Sequence, residues 1–173
     1  MMSPATSLAR TLNLTLMLIL AGILLASFGV QLFMHEEPCP LCLTQRLCMI
    51  GVGLSALMNL RFGINVSHYA LFIFNALVGG GIALRQIVLH ICLNFPTFGS
   101  PMLGLSLYTW SFIIFTCVIL TTALLLLLFR REEPVVTPPF NILEKTATLL
   151  FVCLILGNIA TVYQLCGLGI CPD

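Results

Sequence analysis

The sequence predicts an all-α, polytopic membrane bundle of five transmembrane helices. Three observations carry this reading. Of 173 residues, 60% are hydrophobic and 8% charged, where a soluble domain carries about 25% charged residues. Mean hydropathy is +1.12. The apolar stretches are sustained rather than alternating, which suits helices and not the strands of a barrel. The length fits a single membrane domain over residues 1–173. A net charge of +1 offers no basic surface for nucleic acid, so the surrounding partner is the lipid bilayer.

The elements follow in order. Residues 11–34 carry no charge; the run is too long for a signal-peptide core and lacks a small-x-small cleavage site, so it reads as a retained helix. Further apolar runs cover residues 41–60, 68–93, 103–129 and 146–165. Short connections separate them. The segment 94–102 holds two prolines and a glycine, and 130–145 holds three prolines, residues that interrupt helices.

Basic residues set the expected orientation. With the N-terminus in the cytoplasm, Arg10, Arg61, Arg130, Arg131 and Lys145 fall on the inner side, whereas Arg46 and Arg85 fall toward the outer side. Five crossings then put the C-terminus outside. Of the eight cysteines, Cys39 and Cys42 sit at the outer surface, Cys92 at the outer end of helix three, and Cys166 and Cys171 on the outer tail. Cys48, Cys117 and Cys153 fall within helices and read as packing residues. None faces the cytoplasm, so the exposed cysteines share a compartment in which disulfides persist.

The segment Pro38-Cys39-Pro40-Leu41-Cys42-Leu43-Thr44-Gln45-Arg46 carries the chemistry. A C-x-x-C pair switches between dithiol and disulfide. Fourteen residues separate Arg46 from Arg61, roughly 21 Å of helix, short of a hydrocarbon core about 30 Å thick. The helix therefore starts near Leu41 or Cys42, with Arg46 below the interface. Cys42 and Arg46 are spaced i, i+4 and share a face. The helix N-terminus and the guanidinium both favour a Cys42 thiolate, the reactive form. An arginine snorkelling to head groups beside a passive disulfide is the plainer alternative; an intramembrane charge favours the functional reading. Arg85 lies two turns inside helix three and His90 nearer the surface. Both fit either interfacial anchoring or contact with a bound cofactor, and the sequence leaves the two readings open.

Cys166-Gly167-Leu168-Gly169-Ile170-Cys171 is a second close pair. Its glycines permit the turn that brings the sulfurs together. A bridge closing so short a loop adds little stability, which suits a redox pair better than a structural one.

These residues resemble the DsbB family, bacterial inner-membrane quinone reductases that reoxidise the periplasmic thioredoxin-fold oxidase DsbA. The Pro38–Arg46 motif between the first two helices matches the family signature, and Leu103-Gly104-Leu105-Ser106-x-x-x-Trp110 is similar to a second family pattern. The resemblance covers about residues 10–130, which it implies form a four-helix core, leaving 142–173 as a fifth, extra transmembrane helix and cysteine tail. It implies that Cys39–Cys42 hands electrons to a membrane quinone, ubiquinone or menaquinone, with Cys42 next to the ring and Arg46 at its headgroup. His90 falls near the family's histidine at the quinone pocket.

The chain also departs from the family pattern. Family members carry a long outer loop between helices three and four with a second cysteine pair that meets DsbA; here that loop is short and the only cysteine near it is Cys92. The expectation is that Cys166 and Cys171 replace the missing pair as catalytic cysteines. Two rivals remain: pairing of Cys92 with Cys166 or Cys171, and direct oxidation of the partner by Cys39–Cys42. Outside this chemistry, the alternatives are a metal-handling protein using Cys39, Cys42, His35 and the tail thiols, which Arg46 argues against, or a structural subunit braced by outer disulfides. No metal site is expected.

Overall fold

A computed structural model of the chain describes residues 4–33, 39–92, 101–128, 139–167 and 169. Among the described residues, five helices run in order: α1 (Pro4–Phe33), α2 (Pro40–Phe62), α3 (Val66–Cys92), α4 (Leu107–Leu128) and α5 (Ile142–Cys166). All five are long and apolar enough to cross a membrane. The chain is a multi-pass, all-α membrane bundle, as its composition predicts.

The ends of the helices follow local chemistry. In α2, Cys39 occupies the cap position with its Sγ accepting the backbone N–H of Cys42 at 3.2 Å, and Pro40 opens the first turn, where a missing N–H costs nothing. In α5, Asn141 and Glu144 form a reciprocal capping box. Gly167 ends α5 at φ 59°, a left-handed conformation that costs glycine no Cβ clash. Helix four starts at Leu107 rather than at residue 103. Leu103 and Gly104 both take positive φ (54° and 79°) in a tight turn that pairs Met102 with Leu105, and the Trp110 indole N–H donates to the Met102 carbonyl at 2.9 Å.

Helix α3 lies between α2 and α4, α1 packs on α2, and α5 docks against both α1 and α2. The core gathers Met17, Leu20 and Leu24 of α1, Val52 and Ala56 of α2, Phe72 of α3, Phe115 of α4 and Phe151 of α5. In a bilayer, helices gain little from hydrophobic exclusion and associate through close packing and polar contacts. Two glycines show the packing part. A Cβ at Gly53 would collide with the Phe151 ring, and one at Gly79 with the Phe115 ring, so α5 seats on α2, and α4 on α3, only because those positions lack a side chain.

Polar contacts cluster at the bundle end opposite the cysteines. Arg10 of α1 donates to both carboxylate oxygens of Glu144 on α5, at 2.6 and 2.8 Å, and to the Leu60 carbonyl of α2 at 3.3 Å. Beside it, Asn59 Nδ2 donates to Asn13 Oδ1 at 3.0 Å, and Asn13 Nδ2 donates to Tyr69 Oη at 3.2 Å. This end therefore ties α1, α2, α3 and α5 together.

Candidate active site

At the other end, the start of α2 places the C-x-x-C pair across its first turn, with Cys39 at the cap and Cys42 at the third helical position. This spacing brings the Cα atoms to 5.1 Å, and the sulfurs form a disulfide, within the separation a bridge requires. Cys39 is buried and Cys42 half-buried. The bond sits on the positive end of the helix dipole, which favours negative charge on a sulfur whenever it opens.

One buried glutamine faces the sulfurs, and a second holds it in place. Gln86 of α3, 1% exposed, directs its Nε2 to Cys39 Sγ at 3.4 Å and to Cys42 Sγ at 3.6 Å. Its Oε1 accepts from Gln45 Nε2 of α2 at 2.7 Å. One turn on, His90 Nδ1 donates to the Gln86 backbone carbonyl at 2.7 Å. The imidazole stacks on Tyr108 of α4, ring centroids 4.7 Å apart.

Arg46 turns the other way, toward α1. Nη1 donates to Gln31 Oε1 at 2.9 Å, Nη2 donates to the Ser27 carbonyl at 3.1 Å, and the guanidinium lies 5.1 Å from the Phe28 ring centroid. It is 9% exposed. These bonds use two of the five N–H donors a guanidinium carries. So Arg46 is buried within the bundle, but its contacts are with α1 while those of the sulfurs are with α3.

The remaining predicted residues divide. Arg85 is exposed on α3, and its neighbour Gln86 faces the sulfurs instead. Cys166, at the end of α5, is disulfide-bonded; Cys171 and the side chain of Cys92 lie outside the described residues, as does His35. Cys48, Cys117 and Cys153 are free thiols. A cavity of about 500 Å³ lies between the start of α2 and the end of α5, lined by Pro40, Thr44 and Leu47 on one side and Asn158, Tyr163 and Gly167 on the other. The α5 terminus that carries Cys166 thus adjoins the α2 terminus that carries Cys39–Cys42. Among the described residues, no group of three or more His, Cys, Asp or Glu side chains could hold a metal ion.

Gln86 was not legible as a site residue from its spacing, although a polar side chain inside an apolar run is itself a signal. The same signal applies to Gln31, which meets Arg46.

A disulfide at one end of a membrane-spanning bundle, backed by buried amides and a buried arginine, defines a membrane thiol–disulfide protein. The family model for the disulfide bond formation protein DsbB matches residues 9–98, and the chain belongs to that family. It is 36% identical to disulfide bond formation protein B of Aromatoleum aromaticum over 44% of this chain and 49% of the relative. The protein of the same name from Saccharophagus degradans is 33% identical over 48% and 51%. Disulfide bond formation protein B 1 of Pseudomonas fluorescens is 31% identical over 60% and 83%. The chain spans about half the length of the first two relatives. No solved structure matches it.

Proposed function

We propose that this protein is a protein-dithiol:quinone oxidoreductase of the bacterial inner membrane. It takes electrons from a periplasmic DsbA-like dithiol protein and delivers them to ubiquinone or menaquinone. The N-terminus lies in the cytoplasm, and the Cys39 and Cys166 ends face the periplasm. The observation that carries the reading is the Cys39–Cys42 disulfide at the N-terminus of a membrane helix with Arg46 one turn deeper.

Each thiol step is an exchange. A thiolate attacks one sulfur of a disulfide, a mixed disulfide forms, and the other sulfur leaves as a thiolate; a second thiol then resolves the mixed bond. The helix dipole at Cys39 and Cys42 stabilises the leaving thiolate. Entry of electrons through Cys166 and Cys171 is favoured by the cavity shared between α5 and α2 and by the oxidised state of Cys166. Pairing of Cys166 with Cys92 remains the competing arrangement of the same relay.

The donor set around Arg46 fits a quinone headgroup. A buried guanidinium with N–H groups beyond those bound to Ser27 and Gln31, next to the face of Phe28, provides hydrogen bonds for a carbonyl oxygen and an apolar flank for a ring. When bound, a quinone supplies an acceptor for two electrons and two protons. The part of Arg46 is to hold that oxygen and to offset negative charge developing on it. His90 and Arg85 are the further candidates for cofactor contact, His90 through its position beside Gln86 and Tyr108.

The test is partner oxidation by cysteine variants. Cys39→Ser and Cys42→Ser each stop reoxidation of a reduced DsbA-like protein in membranes. Reoxidation at the wild-type rate by Cys42→Ser overturns the proposal.

A further inference from the structure

We infer that Gln86 is a catalytic residue of the Cys39–Cys42 pair: its side-chain amide donates to whichever sulfur carries the negative charge when the disulfide opens. The inference rests on reading Cys39–Cys42 as redox-active, and deepens that reading by naming the group that stabilises its reduced form.

The geometry supports it in three ways. One carboxamide nitrogen carries two hydrogens, and Gln86 Nε2 faces two sulfurs, at 3.4 and 3.6 Å. The amide has a defined sense. Gln45 Nε2 donates to Gln86 Oε1 at 2.7 Å, so the oxygen of Gln86 is engaged on α2 and its nitrogen is turned to the cysteines. The reverse orientation would aim a carbonyl oxygen at sulfur lone pairs. The position is also held from behind, since His90 Nδ1 donates to the Gln86 carbonyl and His90 stacks on Tyr108. Gln86 and Gln45 are 1% and 3% exposed, so water competes little for the N–H groups.

The chemistry explains why such a donor matters more after the bond opens. A disulfide sulfur is a weak acceptor, whereas a thiolate forms a charge-assisted hydrogen bond, which is far stronger. When an incoming thiolate attacks one sulfur, a new S–S bond forms and the Cys39–Cys42 bond breaks, its electron pair staying on the expelled sulfur. Complete reduction by glutathione turns two thiols into one glutathione disulfide and adds two electrons and two protons to the pair. Gln86 therefore favours the open state and speeds its formation. Cys39 Sγ has a second donor in the backbone N–H of Cys42 at 3.2 Å, whereas the N–H groups of Gln86 reach both sulfurs.

The test uses purified full-length protein in lipid nanodiscs, without quinone or partner. The Cys39–Cys42 equilibrium against glutathione, and the rate of opening by dithiothreitol, are read by differential alkylation and mass spectrometry of the peptide that carries both cysteines. Gln86→Met removes the donor and should shift the equilibrium toward the disulfide by about tenfold, the scale of one hydrogen bond to a charged group, with slower opening. Gln86→Glu keeps the size and presents negative charge to the sulfurs at pH 8, so it should shift the equilibrium the same way. The difference from wild type should shrink in acid, where the sulfur is protonated; a purely structural role would not give this pH dependence. Should Gln86→Met fail to fold, Gln86→Glu decides. A folded Gln86→Glu protein with the wild-type equilibrium constant and opening rate at pH 8 overturns the inference, whatever the protein does with a quinone.

Discussion

Arg10 of α1 and Glu144 of α5 are joined by two hydrogen bonds of 2.6 and 2.8 Å, and this pair anchors the start of α5 to α1. Glu144 has three tasks in one carboxylate. It accepts from Arg10, accepts from the Asn141 backbone N–H at 3.0 Å, and begins a helix at whose N-terminus its charge is favoured. Its side chain is 3% exposed, so removing one partner strands a buried charge.

Glu144→Gln therefore lowers the melting temperature in detergent, at a cost of about 3–5 kcal/mol, the penalty for breaking a buried pair. Replacing both Arg10 and Glu144 by Met costs less than the sum of the single changes. Strict additivity would show that the two side chains do not act as a pair.

The contact of Gly53 with the Phe151 ring predicts a size-dependent effect. Gly53→Leu drives the ring out and loosens α5, raising proteolysis of the segment that links α4 to α5. Phe151→Ala in the same chain relieves the clash and restores part of the protection. Equal protection of wild type and Gly53→Leu would mean that α5 does not seat on this face.

The number of helices, their order and the location of the disulfide were readable because each depends on a local signal: long apolar runs, breaking prolines, and a C-x-x-C motif at a helix start. The apolar run begins four residues before α4 does: it includes Leu103 and Leu105, but positive φ at Leu103 and Gly104 makes a turn there. The second layer of the site was not readable. Hydropathy places Arg85 and Gln86 at the same depth, but only the rotation of α3 against α2 decides that Gln86 meets the sulfurs while Arg85 is exposed. In the same way, Arg10 and Glu144 look like ordinary terminal charges until α5 is docked, because their pairing spans 134 positions of sequence.

Arg46 should separate the two half-reactions. Arg46→Met leaves the cysteines able to oxidise a reduced partner once, yet raises the apparent KM for quinone and lowers its turnover by tenfold or more, the usual scale for losing a charged donor. Arg46→Lys rescues little, because an ammonium cannot span Gln31, the Ser27 carbonyl and a ligand oxygen together. Unchanged quinone kinetics in Arg46→Met removes this residue from the site.

The tail is tested by changing both Cys166 and Cys171 to Ser. Oxidation of the partner should then fall at least tenfold, while Cys39–Cys42 still exchanges with small thiols. Partner oxidation at the wild-type rate would make Cys39–Cys42 the direct entry point.

The most direct measurement is the absorbance of ubiquinone or menaquinone in nanodiscs holding purified wild-type protein, after a reduced DsbA-like protein is added without oxygen. One quinol should form per partner disulfide, and none with Cys42→Ser. Partner disulfide accumulating while the quinone spectrum stays unchanged would contradict it.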